Sequence, residues 1–297
     1  MRRMLTLCAV LIAVFAVGAS PASAITGNYV EDNEHPFVGL VAFYDESGEF
    51  SHRCSGSLIS PSVFLTAGHC TDGATSARIW FHQEAGAHYD PATQYDPVTG
   101  YPDECKQDDP LCYVSHELYN YGFADFAGFP QTRDAGIVIL DKPVPVSVIG
   151  EYGQLATAGS LDRIASTGPG RREVVFTASG YGLSWSNPVR VESYRERLMA
   201  TARLTNLRNS LTGGFNLQTN GNGSGRGGTC SGDSGGPVFY GDTTSNVIVA
   251  VTSFGLNAYC RGVDFAYRTD QADVIAWILS LAPASERQGI LSRMVAL

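Results

Sequence analysis

Beyond residue 24 the hydrophobic positions fall into short runs: 36–43, 56–59, 63–65, 135–140, 173–179, 198–204, 237–240 and 247–254. Turn-forming Gly, Pro, Ser and Asn separate them, as in Ser60-Pro61-Ser62. Runs of this length, rich in Val, Ile, Phe and Thr, predict β-strands, and Ala135 to Leu140 predicts a fully buried one. The period changes near the C terminus. Val274, Ile275, Ile278 and Leu281 recur at helical spacing, with Thr269 as the expected cap and Pro283 as the stop. The tail from Ala284 to Leu297 predicts no element. The expected class is all-β with a C-terminal α-helix, with a linker near Pro143 to Tyr152.

The first 24 residues follow a different pattern. Arg2 and Arg3 precede an apolar run from Leu5 to Val17, and Pro21-Ala22-Ser23-Ala24 offers a small-residue cleavage site. This predicts a secretory signal peptide over 1–24. The run is short for a membrane span, and no second long one follows. The expected product is therefore secreted, with no membrane contact after cleavage.

Composition narrows the function. A net charge of −9 argues against a nucleic-acid partner. Of seven cysteines, Cys8 leaves with the signal. Cys54, Cys70, Cys105, Cys112, Cys230 and Cys260 remain, and export permits disulfides among them. Six cysteines allow fifteen pairings. No Cys-x-x-Cys and no His pair stands at ligand spacing, so neither metal nor cofactor is expected. Glu84 to Gly128 is rich in Tyr, Asp, Pro and Gly and predicts long loops. Its acids Asp103, Glu104, Asp108 and Asp109 predict a solvated acidic loop rather than a calcium site.

The chemistry concentrates in three places. Gly232-Asp233-Ser234-Gly235-Gly236-Pro237 surrounds a hydroxyl with glycines that permit a tight turn. Such a turn aims the N–H groups of Gly232 and Ser234 at one point, where an oxyanion would be stabilised. Ser234 needs a base, and His69 follows the apolar run Val63 to Leu65. His35, His52, His82, His88 and His116 lack such a context and predict surface or hydrogen-bonded roles. Asp134 stands at the mouth of the buried strand, placed to orient a histidine ring. The His-before-Ser order argues against an esterase of the Gly-x-Ser-x-Gly hydrolase fold.

Leu65-Thr66-Ala67-Gly68-His69-Cys70, Arg133-Asp134-Ala135-Gly136-Ile137 and Cys230 to Pro237 resemble the three signature blocks of the trypsin/chymotrypsin-like serine proteases. Ser179-Gly180-Tyr181-Gly182 and Ser253-Phe254-Gly255 are smaller echoes. The likeness covers nearly the whole chain after residue 24. It implies two antiparallel six-stranded β-barrels, one over 25–146 carrying His69 and Asp134, the other over 147–297 carrying Ser234. It implies the disulfides Cys54–Cys70 and Cys230–Cys260, leaving Cys105 with Cys112. It also implies an activation pair, in which a new N-terminal ammonium at Ile25 meets Asp233. Thr26 and Asn28 depart from the family's usual start. Signal cleavage after Ala24 would then itself create the active terminus.

By the same resemblance, the specificity pocket has Gly228 at its floor, Ser253, Phe254 and Gly255 on one wall, and Asp264 or Phe265 on the other. With an uncharged floor, large apolar or aromatic residues are the expected preference. Asp264 in the pocket would favour Arg or Lys, and Phe265 would shrink it. The implied function is a secreted, monomeric serine endopeptidase acting on proteins or peptides. The alternative is a catalytically silent binding protein on the same fold.

Overall fold

A computed structural model of the protein describes residues 25–87, 105, 108–166, 174–193, 195–222 and 225–297. The expected signal peptide, His88, Asp103, Glu104 and much of the 84–128 insertion lie outside the described residues.

The first barrel is built from β1 (Val38–Tyr44), β2 (Phe50–Leu58), β3 (Val63–Thr66), β4 (Ser76–Trp80), β5 (Cys112–Ser115), β6 (Glu117–Asn120) and β7 (Gly136–Ile139). Their order is β5-β4-β1-β2-β3-β7-β6. Because β5 runs into β6 at His116, the two ends of this path are halves of one bent strand. The sheet thus returns on itself with six strands. The Ser115 hydroxyl sits at the bend and donates to the Ile139 carbonyl (2.6 Å). Every residue of β1 is buried, which follows from an apolar strand covered on both faces. Phe37, Phe43, Phe64 and Phe81 fill the interior.

The second barrel closes fully. It comprises β8 (Val175–Gly180), β9 (Leu198–Asn206), β10 (Asn216–Asn220), β11 (Pro237–Tyr240), β12 (Val247–Gly255) and β13 (Val263–Arg268). The ring runs β8-β9-β10-β13-β12-β11 and back to β8. The stretch 213–228 has the composition of a mobile loop, but β10 crosses it. Asn216 to Thr219 are buried despite their polarity. They are partly satisfied: Asn216 Nδ2 donates to the Pro130 carbonyl (2.8 Å) and Gln218 accepts from Asn209 (2.8 Å), while among the described residues Asn216 Oδ1 finds no partner.

Buried polar groups pin the barrels together. Asp32 accepts from the His35 ring (2.8 Å), and the Arg197 guanidinium donates to the Asp32, Val38 and Phe81 carbonyls. Tyr181 reaches across to the His82 carbonyl (2.6 Å). Ahead of the first barrel, Thr26–Gly27 pairs with Gly227–Gly228, and Val30–Glu31 pairs with β9. Among the described residues no helix is long and apolar enough to cross a membrane.

The C-terminal helix spans Ala272–Leu281 (α2), behind a one-turn helix Gly68–Thr71 (α1) in the first barrel. Thr269 does not cap α2. Gln271 occupies that position, and the buried Thr269 hydroxyl has no hydrogen-bond partner among the described residues. A further helix, α3 (Ala284–Ser292), follows Pro283. Glu286 accepts from Ser62 Oγ (2.8 Å), and Arg293 donates to the Ile59 carbonyl (2.6 Å), so the tail clasps the first barrel.

Candidate active site

Asp134 is wholly enclosed just ahead of β7, and His69 lies in α1 with its side chain about a quarter exposed. The carboxylate accepts from the His69 backbone N–H (2.8 Å) and faces the ring Nδ1 at 2.9 Å. A third donor is the Ser253 hydroxyl from β12, at 2.5 Å from Oδ2. Asp134 thereby fixes the ring and commits Nδ1, leaving Nε2 for proton transfer. The Cys54–Cys70 disulfide anchors the residue next to His69. These two sulfurs and the ring cluster within metal-ligand reach, but the sulfurs are bonded to each other.

The Ser234 loop lies against this assembly. Ser55 on β2 donates its N–H to the Ser234 carbonyl (2.8 Å) and its hydroxyl to the Gly232 carbonyl (2.8 Å). Gly235 donates to the Thr252 carbonyl (2.7 Å), next to Ser253. Gly235 has φ +77°, and a Cβ there would stand 2.6 Å from the Ala67 nitrogen. That close approach brings Ser234 to the edge occupied by His69, two residues beyond Ala67. The ring and the Ser234 hydroxyl are not hydrogen-bonded to each other; such contacts commonly tighten only around substrate. Gly232, at φ +97°, turns its peptide against the Arg53 guanidinium. Among the described residues the N–H groups of Gly232 and Ser234 carry no hydrogen bond.

Asp233 points inward. Its carboxylate accepts from the N–H groups of Gly182 (2.7 Å) and Cys230 (2.9 Å). Desolvation pushes its pKa up to about 7, against the downward pull of those donors and of Arg53. Ile25 is fully buried against Leu198 and Ala200, with φ +61°.

Ser234 borders a cavity of about 430 Å³ that is walled by Thr229–Ser231, Ser253–Gly255 and Asp264. Of the two candidates for the far wall, Asp264 lines it. Phe265 does not: it is fully buried and stacks face to face on Phe254 (4.5 Å between centroids). Gly228 lies behind the wall, and a Cβ there would stand 2.6 Å from Asp264 Oδ2. The acid from β13 fills the space that a floor side chain would take. On the rim, Phe123 lies beside the His69 ring (5.7 Å), and Phe126 links Phe123 (5.1 Å) to Phe254 (5.4 Å).

All three disulfides are present: Cys54–Cys70, Cys105–Cys112 and Cys230–Cys260. Asp109 of the acidic loop is not solvated; it faces His82 Nε2 at 2.8 Å. Sequence reasoning missed the contact of Ser253 with Asp134, those of Ser55 and Arg53 with the Ser234 loop, and the Phe123–Phe126 rim. No local motif marks the last three, and Ser253 was marked only as a pocket wall.

A sequence model of the family described as Trypsin matches residues 24–278. Brachyurin of Leptuca pugilator is 33% identical over 219 residues, covering 70% of this chain and 78% of brachyurin. Chymotrypsin of Phaedon cochleariae is 26% identical over 267 residues, covering 86% and 80%. A solved collagenase structure (HL collagenase) superposes with a TM-score of 0.59 at 17% identity, covering 86% of this chain and 97% of that one. At that identity the likeness speaks for the fold.

Proposed function

The chain belongs to the trypsin family of serine endopeptidases, and we propose that Ser234, His69 and Asp134 carry its chemistry. Ser234 Oγ attacks the scissile carbonyl while His69 Nε2 takes its proton. Asp134 holds the ring and stabilises the imidazolium. The free N–H groups of Gly232 and Ser234 receive the developing oxyanion. The observation that supports this reading is the three-donor shell around Asp134 that holds the His69 ring, with Gly235, next to Ser234, packed against Thr66 and Ala67. The silent-binding alternative gains no support, since each catalytic group is retained.

The protein is secreted through removal of residues 1–24 and acts on protein or peptide substrates as a monomer. Its domains divide near residue 146. A chain beginning at Ile25 would bring an ammonium to Asp233. Two features support this: Ile25 is buried, and Thr26 pairs with Gly228, a few residues before Asp233. The cavity beside Ser234 takes the side chain preceding the scissile bond. Its wall of Ser253, Phe254 and Gly255 suits large apolar residues, while Asp264 and Arg261 also line the cavity.

The test is hydrolysis of a peptide library by the secreted protein, with Ser234→Ala as control. Cleavage lost in Ser234→Ala, together with covalent labelling of Ser234 by an organofluorophosphate, is the expected outcome. Full cleavage by Ser234→Ala would reject the assignment. N-terminal sequencing of active material is expected to start at Ile25, and any other start would reject the activation scheme.

A further inference from the structure

We propose that Arg53 is a positioning residue for the oxyanion donors: acting through the Tyr181–Gly182 peptide, its guanidinium holds the Ser234 loop in working shape independently of the terminal ammonium. This rests on the reading of Ser234 as the nucleophile and of the Gly232 and Ser234 N–H groups as the oxyanion donors.

A short strip past the end of β8 carries the inference, because its three consecutive N–H groups seat the Ser234 loop. Tyr181 donates to Ser55 Oγ (2.9 Å), whose own hydroxyl donates to the Gly232 carbonyl (2.8 Å). Gly182 donates to the Asp233 carboxylate (2.7 Å), and Leu183 to the Ser231 carbonyl (2.8 Å). That last bond fixes the Ser231–Gly232 peptide, whose opposite end is the Gly232 N–H. Were this peptide to turn over, a carbonyl would face the oxyanion and a donor would be lost.

Arg53, on β2, fixes the strip. Its Nη1 donates to the Tyr181 carbonyl (2.5 Å) and its Nη2 to Ser193 Oγ (2.9 Å). The Tyr181 carbonyl and the Gly182 N–H are two ends of one peptide group. That group therefore lies between a guanidinium and a carboxylate, and hydrogen bonds in such a chain strengthen one another. The same guanidinium packs on Gly232, where a Cβ would stand 2.8 Å from Nη1. Gly182 admits no side chain either, since a Cβ there would collide with the Asp233 carboxylate.

The charged company of this chain is small. Asp233 is wholly enclosed and faces Arg53 from β2 and Asp264 from β13, with opposite effects. Glu192, in the hairpin that pairs Trp185–Ser186 with Val191–Glu192, is taken by Arg190. His52, next to Arg53, turns its Nε2 to the Cys70 carbonyl (2.8 Å). The phenol of Tyr181 faces Arg197 and the His82 carbonyl, away from the loop. In a chain beginning at Ile25, the terminal amine is the other cation. A free terminal amine titrates near pH 8, and higher beside an acid, whereas a guanidinium keeps its charge. At high pH Arg53 alone is left to hold the loop.

The experiment measures kcat and KM of the processed enzyme on a peptide anilide from about pH 7 to about pH 10.5, a range that spans titration of the terminal amine. The unaltered enzyme is expected to lose activity only in part, levelling off at no less than about a tenth of its maximum. Arg53→Gln should lower kcat about ten- to a hundredfold at pH 8 with KM nearly unchanged, since it loosens an oxyanion donor rather than a binding contact. Its residual activity should vanish at high pH with no plateau. Arg53→Lys, which restores a cationic donor, should recover part of kcat and the plateau. Complete loss of activity in the unaltered enzyme as the amine deprotonates overturns the proposal without needing any variant. So does an Arg53→Gln enzyme that keeps the kcat and plateau of the unaltered one, or an Arg53→Lys enzyme no better than Arg53→Gln. Cleavage that survives Ser234→Ala would instead overturn the underlying assignment of the nucleophile, a failure separable from these.

Discussion

At the scale of single residues, Asp134 depends on a partner from the other barrel. Its Oδ2 faces both the His69 ring and the Ser253 hydroxyl. Ser253→Ala removes a hydrogen bond to a buried charged group, of the kind that contributes about 1.5–3 kcal/mol. The expected result is a loss of roughly ten- to a hundredfold in kcat, with a smaller change in KM, measured on a peptide ester. Ser253→Thr, which keeps the hydroxyl, should recover most of the activity. His69, Asp134 and Ser234 stand out in the sequence because each sits in a motif whose neighbours have local work to do. Ser253 was legible only as part of a pocket wall. Its second contact exists because β12 changes register between Thr252 and Phe254 as it passes the first barrel, a fact of tertiary packing that periodicity does not carry.

At the scale of elements, the strands that the sequence announced are those with continuous apolar runs. The ones it hid are polar or short. Asn216–Asn220 is a strand because it pairs with β9 on one side and β13 on the other, not because of alternation. The helix Ala284–Ser292 was equally silent, since Ile290 is its only buried residue. Packing holds it: Ile290 joins the main core, and Glu286 and Arg293 grip the first barrel. Ile290→Ala is expected to cost about 2–4 kcal/mol in urea unfolding, the usual range for emptying an enclosed aliphatic site. The segment 121–130 makes its own contribution at the rim. Phe126, held at φ +61° between Phe123 and Phe254, extends an aromatic surface from His69 along β12. Phe126→Ala should raise KM several-fold for peptides with bulky apolar residues upstream of the cut, and leave kcat for short esters nearly unchanged. An equal fall in kcat for both substrate types would show instead that Phe126 positions His69.

At the scale of the whole molecule, the seam between the barrels holds an acid that folding disfavours. Asp233 is enclosed, and its pKa is pushed up from 3.8 to about 7. A carboxyl raised in this way leaves stability intact below its unfolded pKa, where both states bind the proton. Stability then falls as pH rises toward the folded value, because the unfolded chain ionises first. A chain still carrying residues ahead of Ile25 has no terminal ammonium to offset that cost. A chain beginning at Ile25 does, if its terminus reaches Asp233. The two forms should therefore melt at similar temperatures below about pH 4 and diverge steadily up to about pH 7, with the processed form higher by several degrees. Asp233→Asn, which cannot ionise, should raise the melting temperature of the unprocessed Ser234→Ala form at neutral pH and abolish the divergence between forms. Parallel melting curves for the two forms across this pH range would mean that the ammonium and Asp233 do not meet. Burial of Ile25 would then be packing alone, and the oxyanion loop would owe its shape to Ser55, Arg53 and the glycines of its own turn.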